Sequence, residues 1–268
     1  MKQRKLAVSG QFYPSVKEEL LKYINHFNKV LEDNNIEKNY KNQKAIIVPH
    51  AGYVYSGFTA NIGFSQIPKT TKNIVVIGPS HKYAFDGASI SLYENYPTPL
   101  GELKIDQRLS NDLVNNFDFL TFNDTVHCEH STETQFPFIK YYLPDVNVIE
   151  IIYSKIDYER LSEVIEYVLK EKDTFIVIST DLSHFYNLNT AHKLDNICLE
   201  SIQNKDVNLA KKGCEACGIV GVEAVLNISK KYNYSLDILD YRTSADTSND
   251  TSSVVGYTSA VIFDEADG

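Results

Sequence analysis

Apolar positions cluster in two patterns along the chain, continuous short runs and stripes at helical spacing, and the two alternate. Ala45-Ile46-Ile47-Val48, Asn73-Ile74-Val75-Val76-Ile77 and Thr174-Phe175-Ile176-Val177-Ile178 are β-branched runs without polar interruption, the signature of strands covered on both faces. Between them, Phe58 to Ile67 fits a crossover helix, and strand, helix, strand is the βαβ unit of a parallel sheet. Upstream, Ser15-Val16-Lys17-Glu18 reads as a capping box, and Val16, Leu20, Tyr23, Ile24, Phe27 and Leu31 then share one helical face. The polar, Asn-rich stretch Asp33 to Gln43 reads as a loop.

Gly87 to Leu92 alternates weakly, and the two prolines of Tyr96-Pro97-Thr98-Pro99-Leu100-Gly101 demand irregular backbone. Ile105 to Phe117 predicts a helix. Asn123 to Ser131 is polar and His-rich, with a helix expected from there to Tyr142 and a strand at Val146 to Ile152. Leu161, Val164, Ile165, Val168 and Leu169 place a helix in Asp157 to Glu171. Helices follow at Leu188 to Asn204 and Gly218 to Tyr232, separated by Lys211-Lys212-Gly213. Strands at Leu236 to Leu239 and Val254 to Phe263 enclose a polar loop, Arg242 to Ser253. No internal repeat or break in composition marks a boundary. The expectation is one α/β domain over residues 1–268, a central, largely parallel sheet flanked by helices.

Composition narrows the function classes. At 268 residues, 43% hydrophobic and 23% charged, the chain is an ordinary globular one that can bury a large core. Lys and Arg number 26 against 35 Asp and Glu, a net charge of −9, which argues against nucleic acid as a partner. No apolar run approaches the roughly 18 residues of a membrane span, and the apolar stretch before Ser9 is too short for a signal-peptide core. Four cysteines, Cys128, Cys198, Cys214 and Cys217, do not make a disulfide framework in a chain of this length. Reduced thiols and a cytosolic location follow as expectations.

The candidate chemistry sits just past the strands. His50 and His81 each follow a buried run and a small-residue turn, and Ser179-Thr180-Asp181-Leu182-Ser183-His184 follows the third. In an open parallel sheet, loops at the carboxyl ends of the strands converge on one crevice. A lone turn histidine is more often a hydrogen-bonded structural residue than a ligand; two after consecutive strands favour a metal. Two imidazoles plus one carboxylate leave open positions for dioxygen and a chelating substrate. Asp181, Asp246 and Asp250 are the candidate carboxylates, and spacing alone does not choose among them. Asp181, three residues before His184, can orient a general base or support a ligand; equally, Asp181 or Ser183 can cap a helix. His127-Cys128-Glu129-His130 concentrates possible ligands, although a polar loop opening a helix accounts for the same composition. Cys214-Glu215-Ala216-Cys217, a single C-x-x-C, reads as a structural or modestly reactive thiol pair. Tyr53 and Tyr55 fall where they can line the pocket or simply pack.

These motifs, taken in order, resemble the Memo family, whose fold is similar to that of the class III extradiol dioxygenases. The matching stretches are G-Q-F-Y-P at Gly10 to Pro14, P-H-A-G-Y-V-Y-S-G at Pro49 to Gly57, G-P-S-H at Gly78 to His81 and T-P-L-G at Thr98 to Gly101. E-H-S-T-E at Glu129 to Glu133, S-T-D-L-S-H at Ser179 to His184, Cys217-Gly218 and S-S-V-V-G-Y at Ser252 to Tyr257 complete them. The resemblance implies that His50 and His81 are metal ligands and that the third ligand is Asp246, where animal members carry a cysteine. Two imidazoles and a carboxylate would make a hard, iron-type site, with Fe(II) favoured over Cu or Zn. It further implies that His184 is the acid/base group oriented by Asp181, and that Tyr53, His130 and Cys217 border the substrate. The implied activity is O2-dependent oxidation of a small substrate. The implied alternatives are non-catalytic, metal-dependent binding of a peptide or partner, or iron and copper handling. Prokaryotic members accompany radical-SAM and AMMECR-type proteins; animal members are described as effectors that bind phosphotyrosine peptides.

Overall fold

Strands apolar on both faces need cover on both faces, and the chain supplies a helical layer for each. The computed structural model describes residues 3–34 and 40–265. In chain order its elements are α1 (Lys17–Asp33), β1 (Gln43–Val48), α2 (Tyr53–Ser65), β2 (Asn73–Pro79), β3 (Ala88–Ile90), β4 (Asn95–Tyr96), β5 (Leu103–Ile105), α3 (Gln107–Asn116) and β6 (Leu120–Thr121). A 3-10 turn at Asp124–His127 leads to α4 (His130–Glu133), α5 (Phe136–Tyr142), β7 (Asn147–Tyr153), α6 (Tyr158–Val168), β8 (Thr174–Ser179) and β9 (His184–Tyr186). The chain ends with α7 (Leu188–Asn204), α8 (Val207–Ala210), α9 (Ile219–Lys231), β10 (Ser235–Thr243), α10 (Ala245–Ser248) and β11 (Val254–Phe263).

The main sheet runs β10-β11-β1-β8-β2-β7-β3-β6. Its centre, β1, β8, β2 and β7, is parallel; toward the margins β11 is antiparallel to β1, β10 to β11 and β3 to β7, and the edge strand β6 is parallel to β3. The fold is thus α/β with a mixed sheet. β8 lies between β1 and β2, so the three strands that precede His50, Asp181 and His81 are immediate neighbours.

Alternation along each central strand divides the core. Ile47, Ile77 and Ile178 face Leu161, Ile165, Val222 and Val225 of α6 and α9. Val48, Val76 and Val177 face Leu20, Phe64 and Phe138 on the other side. Each such side chain, fully buried, contributes about 1.5–3 kcal/mol. α2 lies so close to the sheet that a Cβ on Gly63 would meet Val48 Cγ1 at 2.5 Å.

Several expectations change. Val16, not Ser15, occupies the N-cap of α1 and no side chain caps it, so the capping box is not formed. α2 starts at Tyr53, five residues before Phe58, which turns the Tyr53 to Gly57 segment into helix with Gly52 as its N-cap. β10 extends to Thr243 because β11 pairs with it as far as Gly256, so the final loop is shorter than the polar pattern suggests. Of the loop expected over Asp33 to Gln43, residues 35–39 lie outside the described residues. Cys198 of α7 is disulfide-bonded to Cys214, with Cα atoms 4.7 Å apart. That bond overturns both the reduced-thiol expectation and the pairing of Cys214 with Cys217, and cysteine usage no longer argues for a reducing compartment. Sixteen residues of separation gave no sign of this contact, which α7 creates by folding back on the loop. Among the described residues no helix is long and apolar enough to cross a membrane.

Candidate metal centre

Beyond the carboxyl ends of β1 and β2, His50 and His81 come together with His130, the first residue of α4. One ligand atom from each of the three lies within 4.8 Å of the others, and the ring centroids are 4.5 to 5.3 Å apart. Each imidazole is held through Nδ1. Ser179 Oγ, at the end of β8, donates its single hydrogen to the Ser131 carbonyl, so toward His50 Nδ1, 2.9 Å away, it can only accept. His50 therefore carries its proton on Nδ1 and presents a bare Nε2. Glu129 Oε1 lies 2.7 Å from His130 Nδ1 and 3.3 Å from His81 Nδ1; an ionised carboxylate only accepts, so these two rings also present Nε2. Outer partners that fix the tautomer and orientation of a ligand histidine are the mark of metal sites.

Electrostatics agree with this assignment. Burial, and after it the neighbouring His130 and His81, hold the His50 pKa well below the usual histidine value, so the ring is neutral at pH 7. Burial opposes the charge on Glu129, but hydrogen bonds from His130, His81 and the His81 backbone N–H outweigh it and keep this carboxyl well below the usual range. Three clustered imidazoles beside a fixed anion suit a divalent cation, and the residues present fit such a group.

A buried ion network pins the segment that carries His130. Arg4, 1% exposed, is paired with Glu133, lies 3.5 Å from Glu150 Oε1 and donates to the Glu129 carbonyl at 3.0 Å. Glu133 also accepts from Ala7 N, Val8 N and Tyr13 Oη. Glu150 accepts from Thr132 Oγ1 at 2.6 Å and lies 2.6 Å from His127 Nδ1. His127 thus belongs to the core network, and Cys128 is exposed.

Asp181 follows β8 and is buried, its Oδ1 accepting from the His50 backbone N–H at 2.8 Å and its Oδ2 3.9 Å from His50 Nε2. Burial raises its pKa against that backbone hydrogen bond. Among the described residues no hydrogen bond joins Asp181 to His184, so Asp181 orients His50 rather than its expected partner. His184, on β9 opposite Val255 of β11, lines a cavity of about 430 Å3 together with Phe12, Tyr55, His130, Asp181 and Tyr257. Cys217 Sγ lies 3.3 Å from His50 Nε2 and accepts from the Asp181 N–H. Burial, and then Asp181, push this thiol up to about 12, so it stays protonated.

Two expected site residues stand elsewhere. Asp246 is exposed and turns its carboxylate to Thr243, accepting from that residue's N–H at 2.7 Å and its Oγ1 at 3.2 Å. It closes a local turn, and His130 takes the third place in the cluster. Tyr53 stacks on Phe138 with centroids 4.5 Å apart and donates to the Thr134 carbonyl, so it belongs to the core while Tyr55 reaches the cavity. Sequence reasoning missed the roles of Glu129, Ser179, Glu150 and Arg4. The one legible signal was an acidic residue directly before His130, and Glu is not a favoured helix cap.

The whole chain has relatives. It matches the family model described as Memo-like protein over residues 4–261. A MEMO1 family protein of Methanobrevibacter smithii is 31% identical over 279 residues, covering 96% of this chain and 99% of that protein. One from Sulfurisphaera tokodaii is 33% identical, covering 94% and 96%. Among solved structures, an uncharacterized protein from Escherichia coli K12 superposes with a TM-score of 0.52 at 11% identity, over 82% of this chain and 99% of that one. That likeness is one of fold alone.

Proposed function

The chain belongs to the Memo family, and from that premise we propose that it binds one divalent metal ion on His50, His81 and His130 and oxidises a small chelating substrate with O2. The observation that carries the reading is that His50, His81 and His130 each bring a ligand atom within 4.8 Å of the other two, with Nδ1 of each ring close to an accepting Ser179 or Glu129 oxygen. Neutral imidazoles suit iron, copper, zinc and nickel. Oxygen chemistry needs a metal that changes valence, which iron and copper do and zinc does not; iron is the metal of this proposal and copper its rival. When bound, the metal would hold substrate and O2 side by side and polarise them.

The protein's own groups do the rest. Asp181 and His184 border the cavity beside His130, where His184 can take a proton from a bound hydroxyl and return it later. Asp181, reluctant to ionise because it is buried, receives a hydrogen bond or shares that proton. Cys217, protonated and packed between Asp181 and His50, closes the inner side of the site to water.

Elemental analysis of protein purified without added metal, with O2 uptake measured on a panel of chelating substrates, tests the proposal. Near-stoichiometric metal lost in His130→Ala, and substrate-dependent O2 uptake restored by Fe(II), are expected. Equal metal in parent and variant removes the three-histidine site. Tight ligand binding with no O2 uptake at any metal leaves the site and overturns the oxidation.

A further inference from the structure

The buried tyrosines of this molecule use their hydroxyls, with one exception. Of the six among the described residues, Tyr13 donates to Glu133, Tyr53 to the Thr134 carbonyl, Tyr93 to Asp124 and Tyr96 to Glu150, while Tyr153 accepts from Gly221 N. Tyr257, 2% exposed, makes no hydrogen bond to any described residue, although a buried phenol ordinarily finds a partner. Its oxygen is not shut in the interior, as the orphaned hydroxyls of Ser91 and Ser110 are; the side chain lines the cavity together with His130, Asp181 and His184. The strand explains this placement. Side chains on β11 alternate between faces, so Val255 and Tyr257 both border the cavity, while Gly256 between them backs onto α7, where a Cβ would meet Asp195 Oδ2 at 2.1 Å. Gly256 N donates to the Ser183 carbonyl at 3.0 Å, and the Gly256 carbonyl accepts from Leu182 N at 2.8 Å. Tyr257 is thereby fixed against the loop that leads to His184. Burial, and then the neighbouring Asp181 and Tyr55, push its pKa up, so the phenol keeps its proton and has a hydrogen to donate.

From this geometry we infer that Tyr257 is a ligand-binding residue, its hydroxyl donating to an ionised oxygen of the molecule held on the three-histidine centre. The inference rests on the metal reading of the preceding subsection and adds a requirement on the ligand, which must coordinate through oxygen. Asp181 joins the two sides of the site: its Oδ2 lies 3.9 Å from His50 Nε2, and it shares the cavity wall with Tyr257 and His130. A hydrogen bond from a phenol to an anionic oxygen is stronger than one between neutral groups. A nitrogen ligand whose remaining N–H is itself a donor gains nothing from Tyr257, so the hydroxyl selects oxygen chelates over nitrogen bases.

Tyr257→Phe keeps the ring and removes only the oxygen. Calorimetry on zinc-loaded parent and variant, which bind ligands without oxidising them, tests the inference with two probes. Catechol chelates through two oxygens that can accept a hydrogen bond; imidazole coordinates through one nitrogen, and its other nitrogen carries a hydrogen. Catechol is expected to bind about 10-fold more weakly to Tyr257→Phe, with imidazole affinity and zinc content unchanged. Because the hydroxyl has no partner in the fold, the urea midpoint of the variant should equal or slightly exceed that of the parent. Catechol affinity equal to the parent's, an equal loss for both probes, or a lowered urea midpoint overturns this inference and leaves the metal reading intact. Imidazole binding with no catechol binding to the loaded parent does the same. A parent that takes up no zinc overturns both.

Discussion

Two segments bring carboxylates and a possible third ligand to the rim of the sheet, residues 127–133 and residues 242–253, and they differ in what lies beneath them. Under the first are Arg4 and Glu150, and its Glu129 and Glu133 are completely buried. Glu129, Ser131, Thr132 and Glu133 each bond to residues from distant parts of the chain, so His130 has one place to be. Among the described residues the second stands over no such network. Its Asp246 and Asp250 are exposed and satisfied by residues two or three positions away. A preorganised ligand needs support from other elements, and only the first segment has it; the second is free to serve as the outer wall of the cavity.

Exchanging the histidine of the first segment should have the largest effect. His130→Ala is expected to lower metal affinity by more than the about 10- to 100-fold typical of outer partners, read by competition with a chromophoric chelator. An affinity within a few-fold of the parent would return the third place to residues 242–253.

Next comes the foundation. Arg4→Met leaves Glu133 and Glu150 buried without their cation and should cost about 3–5 kcal/mol in urea unfolding; a loss too small to resolve would mean the network does not pin the segment. Glu129→Gln keeps the size of the side chain but removes its charge and one acceptor. Metal affinity should fall about 10- to 100-fold, together with a loss of stability because the new amide group faces N–H donors in a buried site, and an unchanged affinity would detach Glu129 from the orientation of His81 and His130.

Acid tests the same network. Burial opposes ionisation of Glu150, yet Arg4 and His127 outweigh it and lower its pKa in the folded protein. A depressed carboxylate stabilises the fold above its unfolded pKa of about 4.3, and that contribution disappears as pH falls through the lower folded value. The urea midpoint should therefore decline below about pH 4 and decline less in Glu150→Gln; parallel curves would show that Glu150 carries no share of the acid sensitivity. The smallest effect belongs to Asp246→Ala, for which metal content and affinity equal to the parent are expected by elemental analysis and chelator competition. Loss of metal there would break the contrast between the segments.

Much of the scaffold was legible. The runs ending at Val48, Ile77 and Ile178 are strands, the helix read at Leu188 to Asn204 has those bounds, and His50 and His81 meet as their position after parallel strands requires. The E-H-S-T-E stretch was visible as a motif, but its polar composition fitted a surface loop equally well. Nothing local distinguishes a glutamate buried against an arginine 125 residues away from one in solvent. For the same reason Asp246, placed by its distance from S-S-V, looked like a ligand when its own Thr243 satisfies it, and Tyr53 looked like a wall when an earlier helix start turned it into the core.

The sequence by itself determined the α/β class, the three strand ends and the two histidines that follow them, because periodicity and turn chemistry act between residues close in the chain. Only the tertiary structure decided that β8 enters between β1 and β2, that His130 and not Asp246 completes the cluster, and that Cys198 meets Cys214. Those choices depend on which distant groups desolvate one another, and the energy of a buried charge or a shared proton exists only once both partners have been brought together.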